Sequence, residues 1–187
     1  MRWRMRTLLV GLTAAAIVIG GCGESDKTAA KPSSTDATPA GRCPDATKPV
    51  TAEDLVPDPA PGYSLVASDP AATKAIVAPL KAALGKRWRD HDEKVLARDG
   101  ASSGTLLLVI NGTERTGGIG DIVAGMLKAA GEGGHRTEPI TVRGQQTQLV
   151  RTADDAFMSA GVAGDCAVLI LVSASEKDMR DAAKQID

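Results

Sequence analysis

Few residues of this 187-residue chain have the type and spacing to do chemistry. Asp90-His91-Asp92 could ligate a metal or hold a general base, with His135 as the second histidine. Between Arg87 and Lys94, however, both signs of charge alternate, and neighbours on a helix point in different directions, so a solvated helical face is expected there. No HExxH or comparable cluster gathers the two histidines for zinc. Asp154-Asp155 would suit a glycosidase only with a partner carboxylate across a substrate, and reads instead as a turn. Ser102-Ser103 sits in a loop without the Gly-x-Ser-x-Gly elbow that activates a nucleophile. The run Gly117-Gly118-Ile119-Gly120-Asp121 is placed between a predicted strand and helix. There the backbone of Gly118 and Gly120 could meet a small anion. No Gly-Lys-Ser/Thr follows, Val123 replaces the last small residue of a dinucleotide fingerprint, and Asp121 would itself fill the anion position. No catalytic residue, metal or cofactor is therefore expected.

The cysteines are more informative. Cys22 follows Arg2, Arg4 and Arg6, a twelve-residue apolar run from Leu8 to Ile19, and then Gly20-Gly21. A cationic start, a short apolar core and small residues are the three parts of an export signal. The run is too short for a transmembrane anchor, which needs about 20 apolar residues. Ile19-Gly20-Gly21-Cys22 resembles a bacterial lipobox, with Ile where Leu is usual. The resemblance covers only residues 1–22. It implies cleavage before Cys22, diacylglycerol on the Cys22 thiol and acyl chains such as palmitate holding the protein to the cell membrane on its extracytoplasmic face. With Cys22 assigned to lipid, Cys43 and Cys166 remain as an even pair in an oxidising compartment, and a disulfide between them is expected. In the chain-entropy model, closing so long a loop is worth about 4 to 5 kcal/mol.

Charge and composition narrow the partners. The net charge of −1 becomes −4 once the first 21 residues, with three Arg and no acid, are removed. That offers no basic stripe for nucleic acid. Nor is there a polybasic run beside the anchor. Beyond residue 21 the only aromatics are Tyr63, Trp88 and Phe157, too few for base-stacking or sugar-binding platforms.

The elements that must position these residues begin after a spacer. Residues 22–44 contain no Val, Leu, Ile or aromatic residue and are expected to form a disordered tether. A single domain is expected over 45–187, with a proline-rich lead-in over 45–62 in which Thr51-Ala-Glu-Asp54 starts one helical turn. Tyr63 to Ala67 reads as a strand. Asp69-Pro70 starts a helix with Ile76, Val77, Leu80 and Leu84 on its apolar stripe, which Pro79 should kink or split. Lys94–Arg98 and Thr105–Ile110 form a hairpin, and the second strand, without polar alternation, must be covered on both faces. After a loop over 111–120, a helix is expected over Asp121–Ala130, ended by Gly131. Ile140–Arg143 and Gln148–Thr152 flank a turn at Gly144-Gln145-Gln146. Phe157–Val162 and Cys166–Val172 are further strands, and Ser175 caps a last helix whose apolar face is Met179, Ala182, Ala183 and Ile186.

The order βαββαββββα predicts an α+β fold: a mainly antiparallel sheet with about three helices, packed on one face. The C-terminal stretch around Val142-Arg143-Gly144 is similar to the end of small extracytoplasmic bacterial modules of lipoprotein and anti-sigma-associated type, a resemblance that implies binding without catalysis. The resulting expectation is a membrane-anchored lipoprotein whose domain binds another envelope component. Alternatives are a binding protein for a small apolar ligand or lipid, and a hydrolase using Asp90, His91 or Asp154.

Overall fold

In the computed structural model, the described residues are 41–187 without 45, 102, 132–136, 153 and 187; Cys22, Ser102 and His135 lie outside them. The elements are α1 (Ala52–Leu55), β1 (Tyr63–Val66), α2 (Pro70–Leu84), a 3₁₀ turn (Gly85–Arg87), β2 (Trp88–Arg98), β3 (Gly104–Gly112), α3 (Thr116–Gly131), β4 (Thr137–Val142), β5 (Gln145–Arg151), β6 (Phe157–Gly164), β7 (Ala167–Ser173) and α4 (Glu176–Ala183). The strands form one seven-stranded antiparallel sheet in the order β1-β2-β3-β7-β6-β5-β4. This is the α+β architecture expected from the element order.

The helices are not confined to one face. Leu107, Val109, Leu169 and Leu171 pack with Leu55 of α1 and Met179, Ala182 and Ala183 of α4. Their strand neighbours Leu108, Ile110, Val168 and Ile170 pack on the opposite side with Leu80 and Leu84 of α2 and Val123 of α3. The continuous apolar runs of β3 and β7 dictate this, because successive side chains point to opposite faces and both must leave water. Two helices per face satisfy them, giving three layers.

Several boundaries move for identifiable reasons. The first hairpin strand begins at Trp88 rather than Lys94, since β2 pairs along almost its whole length with β3, His91 opposite Ile110. Pairing with β3 on one side fixes the extended backbone here whatever the local charge pattern, so Asp90-His91-Asp92 is strand and not helix. Gly104 sits where the hairpin closes tightly: a Cβ there would lie 2.5 Å from the Leu96 carbonyl oxygen. Pro79 does not split α2, whose fifteen residues run unbroken from a cap in which Asp69 accepts from the Ala71 amide. The β4–β5 turn is tighter than expected. Arg143 and Gly144 both take positive φ, 51° and 69°, as a two-residue hairpin turn requires.

The entry of the chain is part of the fold. Residues 41–44, expected within the tether, lie beside residues 113–115: Arg42 bridges Glu114, the Cys43 amide donates to the Thr113 carbonyl at 2.9 Å, and the Arg115 amide donates to Gly41 at 2.8 Å. The lead-in then makes the single turn α1, closed by reciprocal bonds between Thr51 and Asp54. Ala52, Leu55 and Val56 carry it into the core.

Candidate functional site

Two places gather polar chemistry: the junction where the chain enters the fold, and a cleft beside α4. At the junction, Cys43 and Cys166 are both buried and stand at disulfide distance, with Sγ–Sγ 2.02 Å and Cα–Cα 6.1 Å. Their positions follow from strand pairing. Cys43 is held by the Thr113 carbonyl, and Cys166 immediately precedes β7, with its own carbonyl accepting from the Gly112 amide at 2.8 Å.

Next to them Asn111, 4% exposed, extends β3 sideways. Its Oδ1 accepts from the Val50 amide at 2.9 Å and its Nδ2 donates to the Val50 carbonyl at 3.0 Å. One side-chain amide thus replaces a strand neighbour for the lead-in and satisfies both backbone groups. Asn111, expected in the loop over 111–120, belongs instead to β3. An amide at the end of an apolar strand, followed by Gly, was the signal that could have identified it. Asp92 has a related role: its Oδ2 accepts from the Ala52 amide at 2.8 Å, capping the first turn of α1. Lys94, one step along the same face of β2, bonds Glu53 of α1 at 2.8 Å and holds that carboxyl below its ordinary value.

The anion loop does not form. Gly118, Gly120 and Asp121 lie inside α3, whose first residue is Thr116. Thr116 starts the helix early because its amide donates to the Asp165 carbonyl at 2.7 Å and its hydroxyl to the Gly164 carbonyl at 2.5 Å. These glycines therefore belong to the helix, and the connection before it is 113–115.

The strand placement of Asp90-His91-Asp92 separates its members. Asp92 faces α1, whereas His91 and Glu93 share the other face. There the His91 Nε2 is 3.5 Å from Glu93 Oε2, and the Ser68 hydroxyl donates to Glu93 Oε1 at 2.8 Å. The Trp88 ring lies 5.3 Å from the imidazole. A hydrolytic triad needs its base between nucleophile and acid. Here the carboxylate stands between hydroxyl and imidazole, so His91 lies beside Glu93 and is not placed as a base for Ser68. Asp154 and Asp155 lie in the turn before β6; Asp155 pairs with Arg151 at 2.8 Å. Among the described residues, no three His, Cys, Asp or Glu side chains gather as metal ligands.

The cleft beside α4 has a volume of about 240 Å³ and is lined by Tyr63, Leu96, Arg98, Ser103, Lys177 and Asp178 among others. Its charges belong to a connected set. Arg98 Nη2 donates to the Tyr63 hydroxyl at 2.9 Å and lies 3.4 Å from Asp181 Oδ2; its guanidinium also rests 5.4 Å from the Tyr63 ring centre. Lys177 bonds the same Asp181 oxygen at 2.7 Å, and Lys184 approaches the other at 3.5 Å. The hydrogen bond from Lys177, helped by the neighbouring cations, holds the Asp181 carboxyl below its ordinary value. Along the same helix, Arg180 bonds Glu176 at 2.7 Å and Glu138 of β4 at 2.8 Å. These hydrogen bonds and ion pairs staple α4 to β1, β2 and β4.

Neither a protein-family model nor a curated protein or solved structure matches this chain.

Proposed function

We propose that the chain is an extracytoplasmic bacterial lipoprotein, attached to the cell membrane through acylated Cys22, whose α+β domain is a non-catalytic binding module of the envelope. The observation that carries this is the pairing of Cys43 with Cys166 at bonding distance. A buried disulfide suits an exported protein. It also leaves Cys22 as the unpaired cysteine, directly after Ile19-Gly20-Gly21 and an apolar run with a cationic start. The non-catalytic part is supported by how the acids and bases are used: Asp92 caps a helix, Glu93 bridges Ser68 and His91, and Asp181 is shared among three cations.

The test is metabolic labelling of the full chain with a fatty-acid analogue in a bacterial host that processes lipoproteins. Wild type is expected to label and to stay with the membrane fraction, and Cys22→Ser to do neither. A Cys22→Ser chain that labels as strongly as wild type overturns the assignment.

A further inference from the structure

The ends of the strands divide the domain into two unlike poles. At one lie the chain entry (41–48), the 3₁₀ turn and start of β2 (85–90), the β3–α3 connection (113–115), the β4–β5 turn (143–144) and the β6–β7 turn (165–166). These segments carry seven Lys or Arg against four acids. At the other pole lie the β2–β3 connection (98–103), the β5–β6 connection (151–156) and the start of α4 (174–178), with three cations against five acids. The cations of the entry pole come from distant parts of the sequence and are assembled only by folding. Thr113 ties three segments together: its amide donates to the Arg87 carbonyl at 3.0 Å, its hydroxyl to Lys86 at 3.0 Å, and its carbonyl accepts from Cys43. Arg89 reaches the Thr47 carbonyl at 2.9 Å, and Arg143 reaches the carbonyls of Val162 and Ala163.

Part of this charge is neutralised locally. Arg87 pairs with Glu114 at 3.0 Å, Arg89 lies 3.7 Å from Asp90, and Lys48 pairs with Asp54 at 3.2 Å. Arg42, Lys86 and Arg115 are exposed and make no ion pair among the described residues; against them stand exposed Asp165 and, by sequence, Asp45. They also surround the residue at which the chain emerges. Only eighteen residues, 23–40, separate Cys22 from Gly41, a reach of at most about 65 Å at full extension. A patch held that close to a surface needs little intrinsic affinity, because its encounter with that surface is intramolecular.

We propose that this entry pole is the face the domain lays against the anionic phospholipid headgroups of the leaflet that holds its anchor, leaving the acidic pole and α4 turned outward. The inference rests on the lipoprotein reading above, and adds to it an orientation. It also supplies by folding what the linear sequence lacks, a basic surface beside the anchor.

The test compares amide hydrogen exchange of the full chain, purified from membranes, on vesicles of phosphatidylcholine alone and of equal parts phosphatidylcholine and phosphatidylglycerol. Segments 41–48, 85–90 and 113–115 should exchange severalfold more slowly on the anionic vesicles, while 98–103 and 151–156 remain unchanged. Raising salt, which shortens the Debye length from about 10 Å at 0.1 M to about 3 Å at 1 M, should erase the difference. The triple variant Arg42→Gln/Lys86→Gln/Arg115→Gln should erase it at low salt. Equal exchange on the two vesicle types, or protection that survives either treatment, overturns the proposal. Mass spectrometry of the same preparation reads the anchor separately, as a diacylglyceryl increment on a chain starting at Cys22. A chain without it overturns the lipoprotein reading and the tethered orientation with it, whereas a lipidated chain with equal exchange on the two vesicle types overturns the orientation alone.

Discussion

The α4 cleft and the chain-entry pole use the same side chains to opposite ends. In and beside the cleft, along α4, cations meet a carboxylate or a phenol: Arg98 with Tyr63 and Asp181, Lys177 with Asp181, Arg180 with Glu176 and Glu138. At the entry pole, one cysteine pair and Asn111 share the fastening with the Arg87–Glu114 pair and with Arg89 and Arg143, which reach backbone carbonyls, while Arg42, Lys86 and Arg115 carry no ion pair among the described residues. Charge that is matched within the chain serves the fold. Charge left unmatched within the chain faces solvent.

That contrast can be broken or sharpened at four points. The largest effect should come from Cys43→Ser with Cys166→Ser. Releasing a loop spanning 123 positions should cost about 4 kcal/mol, read as a lower Tm and denaturation midpoint of the oxidised chain. Asn111→Ala should follow, at about 2 to 3 kcal/mol, because the Val50 amide and carbonyl lose their partner in a partly buried place. Exchange at residues 50–56 should rise before global unfolding in that variant. Breaking the α4 set by Asp181→Asn should cost no more than about 1 kcal/mol, as befits a partly exposed pair. Its pH signature has a definite sign. Lys177 and its neighbours depress the Asp181 pKa below the ordinary 3.8. The stabilisation is therefore complete above that ordinary value and is lost as pH falls through the lower folded one. The variant should lose the part of the acid dependence that Asp181 contributes, while the lowered carboxyls of Glu53 and Asp54 keep theirs. Smallest of all, the triple Gln variant of Arg42, Lys86 and Arg115 should leave stability within about 0.5 kcal/mol of wild type. A larger loss would show that these cations have a structural partner and would remove the contrast.

What the sequence disclosed and what it withheld follow from the range of the forces involved. The runs Leu106–Ile110 and Cys166–Val172 read as buried strands because burial on both faces leaves no room for polar alternation. The same observation already required cover on two faces, so placing the helices on one face was an inconsistency visible in the residues themselves. The hairpins, the Ser175 cap and the cysteine pair were legible because each is set by local chemistry or by counting. The charged start of β2 was not. Trp88 to Glu93 is strand only because β3 lies beside it, and that pairing leaves no periodic trace among residues of mixed charge. The early start of α3 was hidden for a like reason: Thr116 is held by Gly164 and Asp165, far away in sequence. The polar residues that matter at the entry pole, Asn111 and Asp92, bind backbone amides of a segment forty or more residues earlier. Such bonds are specified by the fold and have no motif.

The cysteine pair also determines where the molecule would bear a mechanical load. A pull on the chain ahead of residue 43 does not travel through the lead-in. It passes at Cys43 into Cys166 and β7, and through the Thr113 and Arg115 hydrogen bonds into β3, the two strands at the centre of the sheet. Residues 44–62 sit outside that path, and α1 stays seated while tension is carried by a covalent bond beside them. Against a load applied at that end, the disulfide acts as a strain relief, much as a cable clamp spares the terminals behind it.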